Sequence, residues 1–110
     1  MIARKNRFHG HHAVSRVRGP AVHSKSLSAR IQRSNRQDSR LAIVVSKKVA
    51  ARAVKRNRIR RRLYEIVRTE GLLGAGAIDV VIYVKTDGVS AADYESLKSE
   101  VRSLFAKNTG

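Results

Sequence analysis

The sequence predicts a single mixed α/β domain that covers residues 1–110. Residues 27–32, 40–45 and 78–84 have the apolar patterning of β-strands, whereas residues 50–68 form a long stretch without Gly or Pro that suits a helix. A length of 110 residues is close to the usual size of one domain, about 100–150 residues. We therefore expect helices packed against one sheet around one modest core.

The first 25 residues are basic, contain all four histidines and have few apolar positions. A short helix over residues 11–17 would place Ala13, Val14 and Val17 on one side. The Gly-Pro pair at residues 19–20 would then end this helix. The segment can add only a little hydrophobic area to the core.

Residues 27–32 alternate apolar and polar side chains, which is typical of a strand with one buried face. Leu27, Ala29 and Ile31 are expected to point into the core. Residues 34–39 have the composition of a hairpin loop, and the β-branched stretch at 40–45 suits a central strand. These two strands are therefore predicted to be antiparallel partners.

The longest helix is predicted over residues 50–68, with Ser46 capping it or lying just before it. At about 100° per residue, four apolar side chains fall in one core-facing stripe: Ile59, Leu63, Ile66 and Val67. The stripe covers only the C-terminal half of the helix. The N-terminal half is therefore expected to project past the core with cations on nearly every side.

A glycine-rich loop at residues 71–76 leads to a third predicted strand, Ile78–Val84. Its glycines lack the spacing and the context of a dinucleotide-binding motif. Residues 86–88 form a turn, and a last helix is predicted from about residue 90 to about residue 107. Its apolar residues keep helical spacing and are expected to pack on the sheet: Tyr94, Leu97, Val101, Leu104 and Phe105.

Charge is distributed very unevenly along the chain. There are 24 Lys and Arg against 8 Asp and Glu, which gives a net charge of +16. Residues 1–64 hold 19 of the basic residues and a single acid, Asp38, whereas residues 65–110 hold 5 basic and 7 acidic residues. Self-repulsion of this size destabilises the compact state unless a polyanion neutralises it, which indicates a nucleic-acid partner.

The cations concentrate in residues 47–62, where nine of sixteen residues are Lys or Arg and none is acidic. A solvated helix face normally mixes charge signs, whereas here like charges such as Arg52 and Arg56 lie one turn apart. Arginine binds phosphate bidentately and stacks on unpaired bases, which favours folded RNA as the partner. Asn57, a neutral amide between two arginines, could read a base edge or ribose hydroxyl, or bond locally within the helix.

Other functions find little support in the sequence. Cysteine is absent, which excludes disulfides, thiolate metal sites and thiol nucleophiles. Three histidines cluster at His9, His11 and His12, but no Asp or Glu precedes Asp38, so a polar RNA-facing segment is a better interpretation than a metal site. No catalytic constellation is visible. Neither a secretory signal nor an apolar span of about 20 residues is present, so we expect a cytoplasmic protein without membrane contact.

Residues 46–61 resemble the most specific signature of the protein component of bacterial ribonuclease P. In that family a strand ending in Ser-Lys-Lys is followed by Ala-Val-x-Arg-Asn-Arg-Ile-(Lys/Arg)-Arg. Weaker agreement covers nearly the whole chain, with Asn6-Arg7, Arg40-Leu41 and residues 79–81 matching family positions. The resemblance implies a two-layer α/β (α+β) sandwich of order αβββαβα, ribosomal protein S5 domain 2-like, with an uncommon left-handed βαβ crossover.

The resemblance also implies a function, as the protein subunit of a ribonucleoprotein endonuclease that removes 5′ leaders from precursor tRNA. The active site and its magnesium are expected on the RNA subunit, with no catalytic or metal-binding residue in this chain. The expected partners are the ribonuclease P RNA subunit and precursor tRNA, with one protein monomer for each RNA. Residues 1–25 are expected to be flexible until RNA binds. The contacts to the RNA subunit that carry over are Lys47, Lys48, Arg52, Arg56, Asn57, Arg58, Arg60 and Arg61.

The chain departs from the family at the cleft for the single-stranded leader. Where the family has aromatic residues, this sequence has Val14, Arg18 and Arg30, which are its candidate leader contacts. Base stacking, worth roughly 1–3 kcal/mol per base, would be replaced by arginine stacking or phosphate contact. Composition alone leaves an alternative function open: a structural RNA-binding protein, such as a ribosomal protein or RNA chaperone, with no role in cleavage.

Overall fold

The computed structural model describes residues 21–33, 39–73 and 78–108. In chain order its elements are β1 (Ala21–His23), β2 (Leu27–Arg33), β3 (Arg40–Val44), α1 (Ala53–Thr69), β4 (Ile78–Val84), a 3-10 helix (Asp87–Ser90) and α2 (Tyr94–Asn108). This βββαβα succession agrees with the order that the family resemblance implies. The helix predicted over residues 11–17 lies outside the described residues.

The sheet has the strand order β1-β2-β4-β3. β2 runs antiparallel to both β1 and β4, whereas β3 is parallel to β4. The predicted antiparallel pairing of the strands at 27–32 and 40–45 is therefore wrong, because β4 lies between them. Val80, Val81 and Ile82 are fully buried on both faces of the sheet. A strand with this pattern is best accommodated at the centre of a sheet.

β3, α1 and β4 form a β-α-β unit in which the helix connects two adjacent parallel strands. Both α-helices share one hydrophobic cluster with a single face of the sheet, so the described residues form two layers. The mixed α/β fold class is thereby confirmed. The left-handed sense of the crossover stays a prediction from the resemblance.

Periodicity predicts most of the core correctly. Leu27, Ala29 and Ile31 are at most 6% exposed, and all four stripe residues of α1 are at most 1% exposed. In α2 the four predicted residues after the first turn are also buried: Leu97, Val101, Leu104 and Phe105. Tyr94 is 42% exposed, so its assignment to the core is wrong. It is the first residue of α2, and burial of the helix begins one turn later.

Both α-helices begin about three residues later than predicted. Arg52, the residue before α1, is extended, with φ −85° and ψ 132°. Before α2, a 3-10 helix ends at Ser90, and residues 91–93 separate it from the first residue of α2. The side chain of Asp93 then caps α2 by accepting a hydrogen bond from the Ser96 N–H at 3.1 Å. In each case a short connection takes the place of the first predicted helical turn.

Candidate nucleic-acid interface

The cationic segment begins in a tight turn directly after β3. The N–H groups of Val49 and Ala50 both donate to the carbonyl oxygen of Ser46, each at 3.1 Å. The Ser46 hydroxyl also accepts from the Val49 N–H at 3.3 Å. Lys47 and Lys48 lie at the outside of this turn and are exposed. The turn therefore presents two ammonium groups to solvent just before α1.

The N-terminal end of α1 is electropositive for reasons beyond its side chains. Its cap residue, Arg52, makes no side-chain cap hydrogen bond, and the first turn contains no acidic residue. The N–H groups at a helix start have no partner within the helix, and they coincide with the positive end of the helix dipole. This end of α1 is therefore suited to an anionic ligand.

The outward side of α1 carries most of its exposed cations. Because the stripe that contains Ile59 faces the core, Arg58 and Arg61 point away from the sheet, about 100° and 160° round the helix from that side chain. Both are exposed, as is Asn57, the residue directly before Arg58. Arg58 and Arg61 are three residues apart in the sequence, which makes them neighbours on the helix surface.

Three cations of the segment bind residues of the protein outside α1. Arg56 donates to the backbone carbonyls of Ala50 and Ala51. Arg62 donates to two carbonyls near the 3-10 helix, those of Val89 at 2.8 Å and Ala92 at 2.6 Å. Lys55 forms an exposed ion pair with Asp87, with 3.1 Å between Nζ and Oδ2. Some cations of this segment therefore stabilise the fold, whereas others face the solvent.

Asn57 has a local partner. The Nη1 of Arg60 donates to the side-chain oxygen of Asn57 at 2.8 Å. Of the two roles that the sequence leaves open for Asn57, local bonding is the one observed. This bond orients the Arg60 guanidinium along the helix surface.

The remaining five cations define what we call the cationic surface. Within the described residues none of them has an ion-pair partner within 4.0 Å, and all are exposed: Lys47, Lys48, Arg52, Arg58 and Arg61. Five uncompensated charges around one helix end repel one another. An array of phosphates would remove that repulsion.

The cationic surface ends at the C-terminal half of α1, where charges are paired. Arg68 binds Glu65 bidentately, with 3.2 Å between Nε and Oε1 and 2.7 Å between Nη2 and Oε2. The pKa of the Glu65 carboxyl is lowered from its ordinary value of 4.5 to about 2, and the hydrogen bonds from Arg68 are the largest cause. Arg68 is thus neutralised in a way that Arg58 and Arg61 are not.

Glu65 is expected to titrate near pH 2 when its carboxyl resonance is followed by NMR. Because its folded-state pKa is lowered, its contribution to stability is present above about pH 4.5 and is lost as the pH falls towards 2. Arg68→Gln is expected to raise this pKa. A Glu65 carboxyl that titrates near pH 4.5 in the unaltered chain would contradict the pairing.

A second polar surface lies on the sheet face opposite the helices. Arg30 is exposed there and pairs across the strands with Val81. Tyr83 lies on the same face, paired with Ser28, and packs against a small apolar cluster that contains Val81. Tyr83 is not among the leader contacts predicted from the sequence. The alternation within β4, with its core residues at even positions, could have placed it beside Arg30.

Val14 and Arg18, the other candidate leader contacts, lie outside the described residues.

Arg40 and Asp79 also lie on this outer sheet face. The guanidinium binds the carboxylate bidentately, at 3.1 Å and 3.0 Å, across the parallel β3–β4 pair. The two side chains are only 23% and 11% exposed. Asp79, the one acid within a strand among the described residues, is therefore occupied by a structural cation.

The described residues contain neither a cluster of metal ligands nor a membrane-spanning helix. Among residues 21–33, 39–73 and 78–108, no group of three His, Cys, Asp or Glu side chains could hold a metal ion. His23 lies exposed on β1, and the other three histidines lie outside the described residues. No helix in the described part of the chain is both long enough and apolar enough to cross a membrane.

Together these features define a small, strongly basic α/β protein. Its cationic surface lies just before α1 and on the outward side of that helix, and has no ion-pair partner among the described residues. A family model described as Ribonuclease P matches residues 2–109. The chain therefore belongs to the ribonuclease P protein family, which confirms the resemblance at residues 46–61.

Individual relatives agree with this assignment. The ribonuclease P protein component of Desulfosudis oleivorans is 34% identical over 91 residues, which are 83% of this chain and 74% of the relative. That of Pseudanabaena is 32% identical over 110 residues, covering 97% of this chain and 94% of the relative. The solved structure of the Staphylococcus aureus RNase P protein shares the fold, with a TM-score of 0.77 at 20% identity over 92% of this chain and 93% of that one.

Membership of the family makes the chain a subunit of an endoribonuclease ribonucleoprotein and links it to tRNA processing. It also implies an RNA subunit as partner.

Proposed function

We propose that this chain binds the catalytic RNA subunit of ribonuclease P through the cationic surface and assists endonucleolytic removal of the 5′ leader from precursor tRNA. The observation that carries the proposal is the set of exposed cations around the start of α1, which have no ion-pair partner among the described residues. Arg56, Asn57 and Arg60 belong to the same contact region, although each also has a partner within the protein.

RNA fits this surface better than a generic polyanion does. Arg52, Arg58 and Arg61 supply planar guanidinium groups, which bind phosphate oxygens bidentately and stack on unpaired bases. The uncapped start of α1 adds backbone N–H groups directed at the same region. Folded RNA presents both closely spaced phosphates and unpaired bases. The chain would steady such a fold by neutralising its phosphates.

The outer sheet face is the proposed contact for the leader. Arg30 supplies charge there, and Tyr83 supplies an aromatic ring on the neighbouring strand. Stacking on an aromatic ring is worth roughly 1–3 kcal/mol per base. Val14 and Arg18 complete this set as the sequence predicts it. Because the outer face and the α1 layer lie on opposite sides of the sheet, one chain could hold the leader and the RNA subunit at once.

The chemistry of cleavage is proposed to reside in the RNA. We assign magnesium to the RNA subunit, as the resemblance to the family implies. The net charge of +16 opposes self-association, so we propose one monomer in each ribonucleoprotein. Such a particle would act in the cytoplasm.

Reconstitution tests this proposal. The chain is combined with a bacterial ribonuclease P RNA at low magnesium, and leader removal from precursor tRNA is measured. We expect the rate to rise by about tenfold or more, equivalent to roughly 1.4 kcal/mol, because protein cations replace part of the metal charge. A longer leader should increase the stimulation if the sheet face holds it.

Two controls separate the alternatives. The chain without RNA should cut nothing, since cleavage by the chain alone would indicate a protein-only nuclease. Binding to the RNA without any stimulation would instead support the structural RNA-binding protein.

A further inference from the structure

Arg56 differs from its exposed neighbours because it is half-buried and folded back onto the chain. Its Nη1 donates to two successive backbone carbonyls, that of Ala50 at 3.0 Å and that of Ala51 at 2.8 Å. An Nη atom carries two hydrogens, so both are used by these bonds. Arg56 therefore links α1 to the residues directly before it.

Those residues are the connection between the lysine turn and α1. Val45 and Ala50, on either side of the turn, are only 5% and 2% exposed. Between them the turn closes on Ser46, which leaves Lys47 and Lys48 at the surface. The bonds from Arg56 hold the C-terminal end of this turn against the first turns of the helix.

We propose that Arg56 is a positioning residue, whose main contribution to RNA binding is to fix the Lys47–Lys48 turn relative to α1. The inference rests on the proposed function and refines it, since it assigns phosphate contact to the two lysines and to Arg58. Contacts that are already held in their bound arrangement lose less conformational entropy on association. Loss of Arg56 would let the lysines move independently of the helix.

Arg58 is the matched control for Arg56. It lies two residues further along the same helix and carries the same group, but it is exposed and makes no hydrogen bond within the described residues. A direct phosphate contact should contribute independently of the lysines. A positioning contact should matter only while the lysines are present, because additivity fails for coupled residues.

A double-mutant cycle distinguishes these roles. Affinity for a bacterial ribonuclease P RNA is measured for Arg56→Ala and Arg58→Ala, each in the unaltered chain and in the chain with Lys47→Ala and Lys48→Ala. We expect Arg56→Ala to weaken binding by roughly 10-fold in the unaltered chain and by less than about 2-fold when the lysines are absent. Arg58→Ala should weaken binding by the same factor in both backgrounds.

Equal losses for Arg56→Ala in the two backgrounds would overturn the inference, since either direct contact or general loss of folding would give that result. If Arg56→Ala does not fold, Arg56→Gln is used in the same cycle. If removal of both lysines leaves affinity unchanged while Arg58→Ala lowers it, the inference fails and the proposed function stands. If the unaltered chain does not bind the RNA, the proposed function itself fails.

Discussion

Arg58→Ala combined with Arg61→Ala is expected to weaken binding to ribonuclease P RNA by roughly 10- to 30-fold near 0.15 M salt. The two guanidinium groups are exposed on the outward side of α1 and have no ion-pair partner within the described residues. Each lost phosphate contact removes the release of a bound counterion. The slope of log K against log salt concentration should therefore fall by about 1.4–1.8 in magnitude. Binding titrations at several salt concentrations measure both quantities.

The matched control is Arg68→Ala. It removes one guanidinium charge from the same helix, as either single substitution would, but Arg68 is hydrogen-bonded to Glu65 and lies beyond the cationic surface. Its loss should leave the slope unchanged. If removal of Arg68 lowered the slope as much as removal of Arg58 does, net charge rather than contact would explain the binding.

Leu63→Ala is expected to lower the free energy of unfolding by about 2–5 kcal/mol, which is large beside the total of about 5–15 kcal/mol for most domains. Leu63 is 0% exposed in the middle of the core-facing stripe of α1. The substitution removes apolar contacts and leaves a cavity between α1 and the sheet. Unfolding in urea, followed by circular dichroism, measures the change.

Val54→Ala is the control for this core substitution. Val54 lies on the same helix but is 72% exposed, so its truncation should alter stability by no more than about 0.5 kcal/mol. A loss below 1 kcal/mol for Leu63→Ala would be inconsistent with the described core.

Periodicity was a sufficient guide wherever the relevant property is local. Side-chain direction alternates along a strand and rotates along a helix, so the inward faces of β2 and α1 follow directly from the sequence. Strand order is not local in this sense. Leu27 pairs with Val84, and nothing near either residue encodes that choice of partner. β1 has only three residues, too few for an alternation to be recognised.

Prediction from the sequence is limited in the same way for the cationic segment, because the contacts of its side chains are not local. Charge density identifies residues 47–62, but it cannot tell which cations face outward. Arg62 donates to carbonyls near the 3-10 helix, and Arg56 donates to the connection before α1. Both sets of bonds depend on turns whose positions the sequence does not reveal. Propensity, which predicted a helix from residue 50, missed the turn that Arg56 holds.

The central position of β4 determines when this protein can fold during its synthesis. β2 and β3 do not pair with each other. β2 pairs with the three-residue β1, but β2 and β3 both also pair with β4, which the ribosome makes only after α1. Until residue 84 has emerged, α1 has no completed sheet on which to bury its apolar stripe. Pairings between distant segments also close slowly. The cationic residues 47–62 of the nascent chain are therefore exposed to cellular RNA before the domain has folded.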